Sequence, residues 1–164
     1  MPAKKEAAPF NAIDALLNAH ATNNRINLFL IENVPDAGWR AKPAGGKGRD
    51  VASIVAHMHN VRLMWLKAAG AKGAMPDKLD GDAITKKEAA AGLEASWRAL
   101  DALLRDSLTT DGRIKGFKPD AASFIAYLLA HDAHHRGQIS MLVRQLGNPL
   151  PQSAMYGLWE WGTR

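Results

Sequence analysis

Six histidines and no cysteine leave imidazole and carboxylate as the strong metal-ligating side chains of this chain. Three of the histidines fall within five residues, in the octapeptide HDAHHRGQ from His131 to Gln138. Successive residues of an α-helix advance by about 100°, so His131 and His135, at i and i+4, share a face one turn apart. Such a pair can clamp one metal ion from a single helix. Phe124, Leu128, Ile139, Leu142 and Leu146 share that stripe, which sends both imidazoles toward the core. A buried imidazole without a partner costs roughly 1–3 kcal/mol, and a bound ion would satisfy both rings.

A third imidazole, His57, lies among Ile54, Met58, Val61, Met64, Trp65 and Ala68 on one arc of an earlier helix, while His59 points nearly to the opposite side. A single histidine on an apolar face is often a core residue, so from the residues alone His57 reads either as core or as ligand. Three neutral imidazoles suit zinc, nickel and similar ions, and leave positions open for water or substrate. Asp132 and His134 flank the stripe. Asp132 reads as an acceptor for the second ring N–H of a ligand histidine or as a surface ion pair with Arg136 at i+4. On the first helix His20, Asn24 and Asn27 share the arc of Ile13, Leu17 and Ile31, and read as pocket lining or as a half-exposed end.

Four helices are needed to position these groups. The first runs from about Phe10 to Asn33, with Ile13, Leu16, Leu17, Leu28 and Ile31 on one face, and Pro35 ends it. A loop rich in Pro, Gly and Lys follows to Gly48, with Trp39 as its anchor. The second helix runs from an Asp50 cap to Ala69, stopped by Gly70. After an irregular stretch to Gly81, Thr85 and Glu88 form a capping box for the third helix, which reaches about Leu108 with Leu93, Trp97, Leu100 and Leu104 as its stripe. The fourth runs from Asp120 to Leu146, ended by Gly147 and Pro149. No strand pattern appears, so the expected class is all-α, a four-helix bundle in residues 9–164 after a flexible tail over residues 1–8. Met155, Tyr156, Leu158, Trp159 and Trp161 read as a short helix or turn packed back on the bundle, or as a cover for the site mouth or a dimer seam.

Composition narrows the function. Disulfides, thiolate metal sites and a cysteine nucleophile are excluded by the absence of cysteine. The net charge of +5 is spread over Lys4, Lys5, Arg40, Lys42, Lys47, Arg49 and helix surfaces, so no specific nucleic-acid surface is expected. Charged residues or histidine interrupt every apolar run, and MPAKKEAAPF lacks the apolar core of a signal peptide. A cytoplasmic location and no membrane partner are expected.

The segment HDAHHRGQISMLVRQLG, His131 to Gly147, closely resembles the last-helix signature of the DinB-like family of small four-helix-bundle proteins, in which His-x-x-x-His-Arg-Gly-Gln supplies two metal ligands. Val34-Pro35, Trp39, Pro43 and the Gly-rich turn, with DVASIVAHMHNVRLMWL, resemble the family's first loop and second helix, whose histidine is the third ligand. The resemblance implies crossed connections, a divalent ion on His57, His131 and His135, and frequent homodimers. Some relatives use the metal to activate a low-molecular-weight thiol. The reading is therefore a metal-dependent transferase or hydrolase acting on a small substrate, with zinc or nickel as the ion and manganese or iron as further options. Asp132, His134, His20 and Asn24 are the candidate second-layer groups. The alternative is a non-catalytic, metal-stabilised stress-response or binding protein.

Overall fold

A computed structural model describes residues 9–164; the tail expected over residues 1–8 lies outside the described residues. Four long helices carry the fold: α1 (Ala12–Asn33), α3 (Val51–Ala69), α4 (Lys86–Thr109) and α5 (Ala121–Gln145), with two short ones, α2 (Asp36–Trp39) and α6 (Gln152–Gly157). The protein is all-α: among the described residues there is no strand, and one isolated bridge joins Ile114 and Phe117.

Local chemistry sets the boundaries. Asn11 accepts hydrogen bonds from the Ile13 and Asp14 amides at the start of α1, and Asp50 and Asp120 do the same for Ser53 and Ser123 at the starts of α3 and α5. Thr85 and Glu88 cap α4 reciprocally. Gly70 ends α3 at φ 68°, a left-handed conformation that only glycine adopts without strain. The loop after α1 is more ordered than its composition suggests. It folds into one helical turn, α2, and buries Trp39, whose indole N–H donates to the Ile84 carbonyl at 3.1 Å.

Helices α1 and α3 each pack on both α4 and α5. Their contacts form two apolar clusters. One gathers Leu30, Ile31, Val55, Met58, Leu93, Ile139 and Val143; the other gathers Leu17, Leu63, Leu66, Leu100, Leu104, Phe124 and Leu128. On every long helix, buried polar residues sit between the stretches that feed the two clusters: His20, Asn23, Asn24 and Asn27 on α1, His59 and Arg62 on α3, Ser96 on α4, and Asp132 and His135 on α5. The interior is thus apolar at both ends and polar across its middle.

That polar layer corrects the expected phase of the helix now called α3. Its inner face carries Ala52, Val55, His59, Arg62 and Leu66, while Met64 is 53% exposed and Ala68 is also exposed. The expected arc followed the largest apolar side chains, but the helix turns two polar groups inward because each finds partners. His59 contacts the carbonyls of Gly92 and Asp77, both at 2.8 Å, tying α3 to α4 and to the loop before it. Burial pushes the His59 pKa down, so its neutral ring donates to one carbonyl at a time.

The C-terminal segment packs back on the bundle. Helix α6 buries Ala154 and Gly157 against α1, and the Arg164 guanidinium lies 3.7 Å from the centre of the Phe29 ring. Trp159 stays 80% exposed.

Candidate metal centre

The polar layer opens to solvent where α3 meets α5, and three imidazoles meet there. One ligating nitrogen from each of His57, His131 and His135 lies within 4.8 Å of the others. His135 is buried, whereas His57 and His131 are half-buried. The expectation that both α5 imidazoles point into the core holds for His135, which is buried, and is corrected for His131: the cluster sits at the rim of the core, accessible from one side. One turn of helix between His131 and His135 brings their Nε2 atoms to 3.2 Å.

The hydrogen bonds around the cluster decide which nitrogen is available. His135 Nδ1 lies 2.8 Å from Gln138 Oε1, an acceptor, so Nδ1 carries the proton and Nε2 presents its lone pair to the cluster. The same amide donates from Nε2 to His134 Nε2 at 2.9 Å, which fixes the orientation of Gln138. His134 itself is exposed and reaches the cluster only through Gln138. On the far side, His131 Nδ1 faces Asp132 Oδ1 at 3.7 Å. A carboxylate on that side favours the tautomer with the proton on Nδ1, which leaves His131 Nε2 free to bind an ion.

Asp132 is neither exposed nor paired directly with Arg136. It is 2% exposed, and its Oδ2 accepts from Arg62 Nη2 at 2.8 Å, Asn23 Nδ2 at 2.7 Å and Asn27 Nδ2 at 2.8 Å. Arg136 Nη1 reaches the same two asparagines from behind, donating to each Oδ1 at 2.7 Å. Burial alone would raise the Asp132 pKa, but the Arg62 guanidinium overrides it and holds the carboxyl well below the usual range. Asn24 accepts from Arg62 Nη1 at 2.9 Å and donates to Glu94 at 3.1 Å. His20 is buried with Nδ1 unpartnered, so both α1 residues belong to the interior layer.

Four residues of this arrangement escaped the sequence reading: Arg62, Asn23, Gln138 and Arg49. Gln138 follows His134 by four residues and His135 by three, a helical spacing that puts it beside both rings. Arg62 follows Val55 and His59 at helical spacing, but that signal becomes legible only once the phase of α3 is known. Arg49 precedes the α3 cap without periodicity to mark it.

Two shallow grooves flank the cluster. One, of about 310 Å³, is lined by Arg49, Ser53, Ala56, His57, Asn60 and neighbouring residues; the other, of about 270 Å³, by Arg49, Ile54, Gln138, Met141, Leu142 and neighbouring residues. Arg49 stands between them. None of the C-terminal aromatic residues lines either groove.

The donor set fits a divalent ion. Burial, then the charges of Arg49 and the two other histidines, push the His57 pKa down to about 4, and burial pushes that of His135 down. Both rings are therefore in the neutral, ligating form near pH 7. Fold and site together define an all-α protein whose three-imidazole cluster, compatible with metal binding, lies at the rim of its core.

That class has a family. The chain belongs to the DinB family, whose sequence profile matches residues 10–162. It also superimposes on the crystal structure of a DinB-family protein from Exiguobacterium sibiricum with a TM-score of 0.60 at 20% identity, over 90% of this chain and 99% of that one. At that identity the likeness is one of fold. No curated protein matches the chain.

Proposed function

We propose that the protein is a metal-dependent enzyme acting on a small molecule, with one divalent ion on His57, His131 and His135. The observation that carries this reading is the convergence of three imidazoles from two helices at an accessible rim, with no fourth protein ligand grouped with them among the described residues. A structural zinc site is normally closed by four protein ligands, whereas a catalytic one keeps a position open. The four long helices are read as a bundle with crossed connections: α1 and α3 lie across from each other, so the segment between them spans the bundle.

The residues divide the work by position. His57, His131 and His135 would hold the ion, and when loaded the site supplies Lewis acidity that lowers the pKa of a water or small thiol toward neutrality. Gln138 keeps the proton of His135 on Nδ1. Asp132, locked by Arg62, Asn23 and Asn27, orients His131 and balances the buried charge of Arg62. Arg49, exposed between the two grooves, would draw an anionic substrate group to the mouth. The reaction class is transfer to or hydrolysis of a small substrate, with a low-molecular-weight thiol as the favoured nucleophile, and zinc or nickel as the favoured ion.

Cobalt substitution tests the reading. A small thiol or anion at millimolar concentration should change the visible spectrum of the cobalt-loaded protein, because an open position exchanges its ligand. A spectrum unchanged by thiols, carboxylates and azide would overturn the catalytic reading in favour of a metal-stabilised binding protein.

A further inference from the structure

On the opposite flank of α5 from the histidines lies a second concavity, of about 530 Å³. Leu129, Ala130, Ala133 and Gly137 of α5 form its floor, and Met155, Leu158, Trp159 and Trp161 its wall. Such a volume and lining are those of a site for a small, largely apolar ligand. Three polar residues also line it, Asn23, Ser140 and Arg136, and of these Arg136 alone carries a charge. Arg136 opens onto the groove and is half-buried.

Among the described residues its charge has no carboxylate in direct contact. Arg136 forms no ion pair among the described residues, and its protein hydrogen bonds are the two from Nη1 to the Asn23 and Asn27 side-chain oxygens. Nε and Nη2 have no partner among the described residues. The nearby carboxylate, Asp132, already pairs with Arg62 at 2.8 Å. Two guanidinium groups thus share one buried carboxylate, Arg62 in direct contact with it and Arg136 only through the two asparagines. A guanidinium held by two asparagines, with one edge free beside an apolar floor, is pre-organised for a planar anion that brings an apolar body.

We propose that this groove binds an amphipathic monocarboxylate, its carboxylate on the free Nε and Nη2 edge of Arg136 and its hydrocarbon against Ala130, Ala133, Leu158 and Trp159. A second copy of the chain seated on the same wall would bury the guanidinium, at the cost of an unpaired charge unless it brought a carboxylate of its own. A small carboxylate removes that cost and fills the concavity. The site is separate from the histidine cluster and rests on nothing bound there.

Octanoate is the probe, with octan-1-ol as its uncharged counterpart, titrated calorimetrically and by tryptophan emission into the full chain before and after chelator treatment. Octanoate should bind saturably and equally in both preparations, and at least tenfold more tightly than octan-1-ol. Arg136→Gln should weaken octanoate at least tenfold and leave octan-1-ol unchanged. Because Arg136 also holds the two asparagines, Ala133→Leu serves as the second variant: it fills the floor from an exposed helical position and should abolish binding of both probes. Equal affinity for acid and alcohol would overturn the proposal. So would parental octanoate binding by Ala133→Leu, or an emission change that tracks protein concentration and dimer mass without ligand.

Discussion

Replacing Asp132 with asparagine tests the buried layer beside the histidines. In the native protein Asp132 is 2% exposed and Arg62 1% exposed, and the two meet at 2.8 Å. The remaining acceptors of Arg62, Asn24 Oδ1 at 2.9 Å and the Leu93 carbonyl at 3.0 Å, are uncharged. Asp132→Asn therefore leaves a buried guanidinium with no counter-charge, a loss that costs about 3–5 kcal/mol when one partner of a buried pair is removed. The retained amide oxygen still accepts a hydrogen bond and recovers about 1 kcal/mol. A net destabilisation of about 2–4 kcal/mol lowers the melting temperature of a domain this size by roughly 5–15 °C. Arg62→Met and the double variant complete a cycle in which the pair should show a coupling energy of about 2 kcal/mol or more. The sign of the pH dependence follows from the depressed carboxyl pKa. The stabilisation is complete above the ordinary value of 3.8 and is lost as the pH falls below it, so the gap between parent and variant should stay flat from about pH 8 to about pH 5. Denaturant and thermal unfolding followed by circular dichroism measure it, and a variant within about 0.5 kcal/mol of the parent would refute the Arg62–Asp132 ion pair as the support of the layer.

His20, whose pKa burial and then Arg62 push down to about 4 from 6.5, stays neutral in the folded protein while the unfolded chain takes up a proton. The His20 contribution to stability is therefore full above pH 6.5 and falls as the pH drops toward 4, by at most about 3 kcal/mol; His57, His59 and His135 add slopes of the same sign, so His20→Leu should reduce the acid slope in denaturant melts without removing it. Trp39→Phe removes the donor to the Ile84 carbonyl and should cost about 1–3 kcal/mol; an unchanged melting temperature would show that the α2 turn is not pinned by that bond. Because all three ligands bind as neutral imidazoles, metal retention measured by equilibrium dialysis should fall as the pH drops from about 7 to below the His57 value of about 4; occupancy independent of pH over that range would contradict histidine ligation.

How much of this was legible in the sequence varied with the kind of signal. The helix ends were carried by local chemistry: Asp50, Thr85 with Glu88, Asp120, Gly70 and Gly147 act through their own backbones and need no tertiary context. The pairing of His131 with His135 was equally local, since one helical turn fixes it. The inner face of α3 was not legible, because hydropathy assigns the core to large apolar side chains and here Met64 is exposed while Arg62 is inside. What admits Arg62 is Asp132, separated from it by 70 residues, a partnership that no periodicity reports. Of the α1 asparagines, Asn24 and Asn27 shared the core-facing arc in the sequence and Asn23 did not, but the partners of all three were beyond it. Asn23 and Asn27 look like a polar interruption of a helix, and become structural only when the Asp132 carboxylate on one side and Arg136 on the other are present to engage both ends of each amide.

Metal stoichiometry in the single-histidine variants tests the central claim most directly. Elemental analysis of the purified parent after loading and gel filtration should find about one divalent ion per chain. His57→Ala, His131→Ala and His135→Ala should each lose most of it, while His59→Ala, whose ring is occupied with the Gly92 and Asp77 carbonyls, should keep it in whatever fraction remains folded. A parent that retains no ion, or a site emptied by His59→Ala in a folded protein and preserved in His57→Ala, would contradict the account.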